Sequence, residues 1–268
     1  MNGYIFLTAW DIALASVFLA FNAGLSLALQ LRLERQLVIA AVRMIIQLLM
    51  VGLVLKAVFA AASPWITFLV AVLMIGFAGR EISARQERRL AGIWGYALGA
   101  AAMTSAGTLV TVFALTTQIQ PAPWWSPQFA LPLFGMILGN TMTGVSLGLD
   151  TLHTTLDRER RAIEAQLLLG RSRLVAFTPV LRRALRSGFT PIVNAMAATG
   201  VVSLPGMMTG QILSGVDPQE AVKYQLLIMF LIGGATGLGV LLAVFSSAWR
   251  LSDHRQRLRL DRLAGAKR

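Results

Sequence analysis

The chain has 268 residues, of which 56% are hydrophobic and only 13% charged, and its mean hydropathy is +0.67. Soluble domains carry about a quarter of their residues charged, so this composition excludes a soluble globular enzyme, and the length suits a single integral membrane domain over residues 1–268. The net charge of +12 does not point to nucleic acid, because the basic residues sit in the gaps between apolar segments, as the positive-inside rule expects.

There is no cysteine, hence no disulfide or thiolate chemistry. The two histidines, His153 and His254, both lie outside the apolar segments. No basic residue precedes the first apolar run, since Met1-Asn2-Gly3-Tyr4 is uncharged. A permanent first span is therefore expected rather than a cleaved signal peptide.

A spanning helix needs about 20 mostly apolar residues, and seven segments qualify. They run from about Leu7 to Leu29, Leu37 to Phe59, Trp65 to Gly79, Ala91 to Thr116, Phe129 to Leu149, Pro191 to Ser214 and Tyr224 to Trp249. The third is short. Alternate gaps carry two, four, eight and seven basic residues, which is 21 of the 24 Lys and Arg. The expected fold is all-α and polytopic, with the N-terminus outside and the C-terminus cytoplasmic. Trp10, Trp65, Trp124 and Trp125 would mark the outer interface, Trp94 and Trp249 the inner one. Asp217, Pro218 and Glu220 form a helix-start pattern ahead of the last span.

Polar groups inside a bilayer are costly and are expected to face the bundle or a wet cavity. On the second span Arg43 and Gln47 share a face. Arg43 either snorkels to the inner headgroups or serves a pathway or interhelix role, and Lys56 snorkels outward. On the fifth span Met136, Asn140 and Thr143 form one stripe, and Gly135/Gly139 and Gly144/Gly148 are small-residue pairs that admit a neighbouring backbone. On the sixth, Asn194 is followed by Ser203-Leu204-Pro205-Gly206, where the helix should break or kink, either for packing or to line a cavity. Asn140 and Asn194 are expected to face a shared cavity. Gly233, Gly234, Gly237 and Gly239 on the seventh span form a packing face. Asp11 is the only carboxylate expected within a span, which disfavours proton-coupled transport. No Walker A pattern is present, so any ATPase must be another chain.

The long polar interval at about 150–190 holds eight arginines between Arg158 and Arg186. Within it Glu164-Ala165 precedes Gly170 with the spacing of the E-A-A-x-x-x-G loop, and the stretch resembles the coupling loop of ABC-transporter permeases. It departs from that pattern at Gln166 and in lacking the apolar-x-Leu-Pro ending. A basic loop held inside by its charge is the plainer alternative. A basic cytoplasmic tail follows at about 250–268.

Three stretches carry a wider resemblance: VRMIIQLLMVGLVLK from Val42, PLFGMILGNTM from Pro132, and GVVSLPGMMTGQILSGVDPQEAVKYQ from Gly200. From about Arg32 to Phe245 the chain resembles the iron-exporter permeases of the FetB type, whose plant relatives are linked to aluminium tolerance. The resemblance implies a non-enzymatic permease subunit in the bacterial inner membrane, a homodimer working with a separate ABC ATPase and exporting iron. Coupling would then fall to Glu164, Ala165 and Gly170. The substrate path would draw on Arg43, Gln47, Met136, Asn140, Thr143, Asn194, Ser203, Pro205, Gly206, Met207 and Met208. No metal ligand can be assigned and no cofactor is expected. An ATPase-independent channel, or an ABC permease for another small substrate, is the alternative.

Overall fold

The structure is a computed structural model that describes residues 8–253 and 257–264. Leu7, His254 and the end of the basic tail at 265–268 lie outside the described residues. Among the described residues there are nine α-helices: α1 Ala9–Ala28, α2 Glu34–Ala61, α3 Pro64–Arg85, α4 Trp94–Phe113, α5 Pro127–Arg158, α6 Arg160–Leu168, α7 Arg173–Ala198, α8 Gly206–Leu213 and α9 Pro218–Arg250. Six of them, α1 to α5 and α9, are long and apolar enough to cross a membrane.

Local chemistry fixes several starts. The Thr8 hydroxyl accepts the Asp11 N–H at 3.4 Å while the Asp11 carboxylate accepts the Thr8 N–H at 2.7 Å, a capping box that opens α1. Asp217 accepts the N–H groups of Gln219 and Glu220 ahead of Pro218, as its spacing predicts. Between α1 and α2, the Ser26 hydroxyl donates to Glu34 at 2.9 Å and accepts the Leu33 N–H at 3.0 Å.

Two expectations about the spans need correction. The third span does not stop near Gly79; α3 continues to Arg85. Along its charged last turns Arg85 reaches Glu81 one turn back, at 3.8 Å, a weak contact that favours the helix. Asp11 is thus not the only carboxylate in the spanning helices: Glu81 lies in α3, Glu34 in α2, Asp150 and Asp157 in α5, and Glu220 in α9. The sixth segment breaks, as Ser203 to Gly206 predicts, but it does not begin where expected. α7 ends at Ala198, Gly200 takes a left-handed φ of +92°, its N–H donates to the Ser203 carbonyl, and α8 begins only after Pro205. α7 also starts far earlier than Pro191, at Arg173, and its four arginines, Arg173, Arg182, Arg183 and Arg186, keep it from reading as an apolar span.

α7 and α8 nevertheless follow α9 end to end. A Cβ on Gly237 would touch Phe189 and one on Gly233 would touch Met196, while Met207 packs into the apolar cluster that includes Ile228 and Leu231. α5 is the hub, packed on α3, α4, α7 and α9. Its join to α7 and α9 needs glycine: a Cβ on Gly144 would sit 2.8 Å from the Gly188 carbonyl, and one on Gly188 would sit 2.5 Å from Val240. Gly148 closes on the same seam, whereas Gly139 has open space. With 32 residues α5 is about 48 Å long, well beyond the hydrocarbon thickness of about 30 Å.

The α1–α2 pair stands apart. α1 buries only Ser26 and α2 only Val58.

Candidate functional site

The arginine-rich interval is built mostly of helix. α5 runs on to Arg158, α6 crosses beneath it, and α7 returns. Ile163 roots α6 in the core at 2% exposure, and Arg183 clamps the α5–α6 joint by pairing with both Glu159 oxygens at 2.6 and 2.7 Å. Glu164 accepts from Arg160 at 2.8 Å along α6, which holds the Arg160 guanidinium above its ordinary pKa. Ala165 is exposed. Gly170 terminates the helix with φ +81°: its N–H donates to Leu167 and that of Arg171 to Gln166, a stop that a β-carbon would strain. At this tip Leu168 and Leu169 are 89% and 82% exposed, with Leu174 and Val175 exposed just beyond. A polar loop gives no reason for adjacent leucines to stand in the open.

Behind the tip, the loop after α3 is stitched to α5 and α9. His153 is buried. Its Nδ1 lies 3.1 Å from the Arg88 carbonyl and its Nε2 2.7 Å from the Ser247 hydroxyl. A carbonyl only accepts, so Nδ1 carries the proton and Nε2 accepts from Ser247. Asp157 pairs with Arg88 at 3.0 Å, and Asp150 accepts the Glu87 N–H at 2.7 Å. The tail folds back as well. Leu90 and Leu263 pair backbone to backbone, with the Ala91 N–H donating to Arg262 and the Ala264 N–H to Arg89.

The expected path residues divide into groups. Asn140 is exposed and donates to the Met136 carbonyl at 2.8 Å; Thr143 donates to Gly139 at 3.0 Å. Both lie on the side of α5 away from α9, as does open Gly139. Asn194 and Thr190 are exposed on α7. Because Gly144 meets Gly188 and Gly148 approaches Ala184, the antiparallel register puts Asn140 level with Ile192, within about a turn of Asn194. The two asparagines are thus at one depth, but on the outside of the single chain rather than enclosed in it. Arg43 is paired elsewhere, with Glu81 of α3, and Gln47 is exposed one turn along α2. Met136 and Met207 pack against the same apolar cluster. Ser203, Pro205, Gly206 and Met208 form the break and the first turn of α8.

The sequence profile of an uncharacterised protein family, UPF0014, matches residues 9–251. The chain belongs to the UPF0014 family. It is 40% identical over 234 residues to a UPF0014 membrane protein of Synechocystis, covering 85% of this chain and 88% of that one. It is 30% identical over 257 residues to the "Probable iron export permease protein FetB" of Escherichia coli, at 96% and 97% coverage. It is 28% identical over 250 residues to the protein ALUMINUM SENSITIVE 3 of Arabidopsis thaliana, at 91% and 87% coverage. No solved structure matches. The family and its multiple apolar helices make this a multi-pass membrane protein.

Within this UPF0014 protein, sequence reasoning missed three things. Glu81 was hidden by the assumed end of the third span. His153 carries no local signal of burial, because its partners lie 65 and 94 residues away. The hydroxyls of Thr111, Thr141 and Thr236 are buried without a hydrogen-bond partner among the described residues, inside α4, α5 and α9. Threonine suits a helix–helix seam by size alone, so nothing in the sequence singles them out.

Proposed function

We propose that this chain is the permease subunit of an ATP-driven exporter, with a separate ABC ATPase docking on α6 and the tip after it. The observation that carries the reading is the pair of exposed leucines at Leu168 and Leu169, placed by Gly170 at the end of an otherwise charged hairpin. Apolar side chains held out on a polar end mark a protein contact. The E-A-x-x-x-x-G spacing of Glu164, Ala165 and Gly170 supports the same partner. The arginine-rich end is then cytoplasmic and the N-terminus outside, in the bacterial inner membrane, with α7, the break and α8 as a composite sixth crossing of seven.

The transport path follows from what the single chain leaves open. Asn140, Thr143 and Asn194 present amides and a hydroxyl outward at membrane depth, where lipid is a poor neighbour for them. A second copy of the chain would close that face, and a homodimer is the assembly we assign. ATP-driven closure of the ATPases would move α6, and the Arg183–Glu159 clamp would make the lower ends of α5 and α7 follow together. Arg43, Gln47 and the Ser203–Met208 break would flank the path.

Iron is the cargo we assign, on the strength of the iron-export name of one relative. The path offers amide, hydroxyl and thioether groups, and among the described residues no three His, Cys, Asp or Glu gather in one place. Such a path would hold a metal ion weakly and release it.

The test is co-purification. Wild-type chain should retain an ABC ATPase subunit through affinity purification, and Leu168→Arg/Leu169→Arg should lose it while still inserting in the membrane. Equal retention by the variant would remove the docking assignment.

A further inference from the structure

Two cavities at the arginine-rich end share a wall. One, of about 230 Å³, is an apolar groove between α7 and α9 formed by Leu174, Phe177, Leu181, Phe245 and Ala248. The other, of about 340 Å³, is lined by Arg173, Arg250, Asp253 and Arg262. Trp249 and Ser252 border both, and so does Arg173. The apolar groove therefore opens directly onto a basic pocket.

The basic pocket is assembled from three parts of the chain. Arg173 begins α7 and donates to the Ser252 hydroxyl at 3.2 Å. Arg250 ends α9 and its guanidinium lies 4.4 Å over the Trp94 ring. Arg262 comes from the folded-back tail and donates one N–H to the Arg250 carbonyl at 2.6 Å. A guanidinium has five N–H donors, so this contact places the Arg262 head without exhausting it. The pocket's one carboxylate, Asp253, is paired with Arg257 at 2.9 Å. The balance is strongly positive. Trp249 is 68% exposed at the end of a spanning helix, the position that an indole takes at headgroup depth.

We propose that these two cavities form one binding site for an anionic phospholipid, its phosphate on Arg173 and Arg262 and an acyl chain in the groove between α7 and α9. Charge complementarity fixes the head, and continuity of the basic pocket with a groove on the bilayer side fixes the tail; a soluble anion would leave the groove unused. The site would also tie the folded-back tail to the membrane, because Arg262 is the tail's contribution. It depends on the arginine-rich end lying at a headgroup layer, and not on the ATPase or the cargo.

The test uses the full chain in detergent micelles, titrated with phosphatidylglycerol or phosphatidylcholine and read by native mass spectrometry. Phosphatidylglycerol should bind in preference. Arg173→Gln/Arg262→Gln should weaken it by about thirty-fold, from two headgroup-level charges. The charge-matched control Arg182→Gln/Arg186→Gln should leave it unchanged. Leu174→Trp, which fills the groove from its exposed rim, should weaken phosphatidylglycerol with every arginine in place, and carries the test if the double variant does not fold. Equal retention of both lipids, or equal loss in the control, would overturn the site. Loss to inorganic phosphate together with indifference to Leu174→Trp would make it a phosphate pocket and overturn the lipid assignment.

Discussion

Gly188 sits where α5, α7 and α9 come closest, and a single methyl group there has nowhere to go. The added carbon would meet Val240 at 2.5 Å and the Gly144 carbonyl at 3.0 Å. Gly188→Val should therefore destabilise the purified protein by about 1–3 kcal/mol, the usual cost of overpacking, seen as a lower thermal midpoint. Gly139→Ala, into open space, should leave that midpoint unchanged. A different kind of constraint joins Arg43 to Glu81, the ion pair that links the sparsely packed α1–α2 arm to α3. Glu81→Gln should reduce transport by freeing Arg43 at the membrane edge, and the exchange Arg43→Glu/Glu81→Arg should restore part of it. If the exchange is as inactive as the single variant, the charges themselves, and not their pairing, are what matters.

α6 and the ends of α5 and α7 behave as one unit because Glu159 and Arg183 are bound through two parallel bonds, the stronger geometry for a guanidinium and a carboxylate. Arg183→Ala should leave the ATPase bound yet lower its stimulated hydrolysis several-fold, since the tip would move without carrying α7. Release of the ATPase by this variant would mean that Arg183 shapes the docking surface instead. Much of this element structure was legible beforehand. Apolar runs of membrane length gave α1, α2, α4, α5 and α9, the Asp217-Pro218 start was plain, and the proline and glycine near 205 announced the break. What failed did so for one reason: hydropathy marks where a helix stops being apolar, not where it stops being helical. That is why α3 was cut short of Glu81, and why a stretch read as a loop is the continuation of α5 and α7. The stripe of Met136, Asn140 and Thr143 was readable from spacing; that Asn140 and Thr143 face outward while Met136 packs on the core was not, because the neighbours of α5 are set by contacts distant in sequence.

Taken whole, the molecule is a bundle around α5 with a capped arginine-rich end and a polar face left open on one side. The absence of native cysteine makes its topology directly measurable. Trp124→Cys should be labelled by an impermeant reagent from outside the cell, and Arg171→Cys only after the membrane is opened. Labelling of position 124 from the cytoplasmic side alone would invalidate the proposed orientation. The open face carrying Asn140 and Asn194 is where a second copy is expected, and replacing either asparagine with leucine should lower transport more than stability. The central claim is that ATP hydrolysis by a docked partner drives iron across this chain. It is tested most directly in sealed vesicles that contain the chain and its ATPase, with iron(II) added on the ATPase side. We expect iron to enter the lumen only with ATP present, and Gly170→Arg to abolish that uptake while the chain still inserts. Iron entry without ATP or without the ATPase chain would contradict the account and mark the protein as a channel.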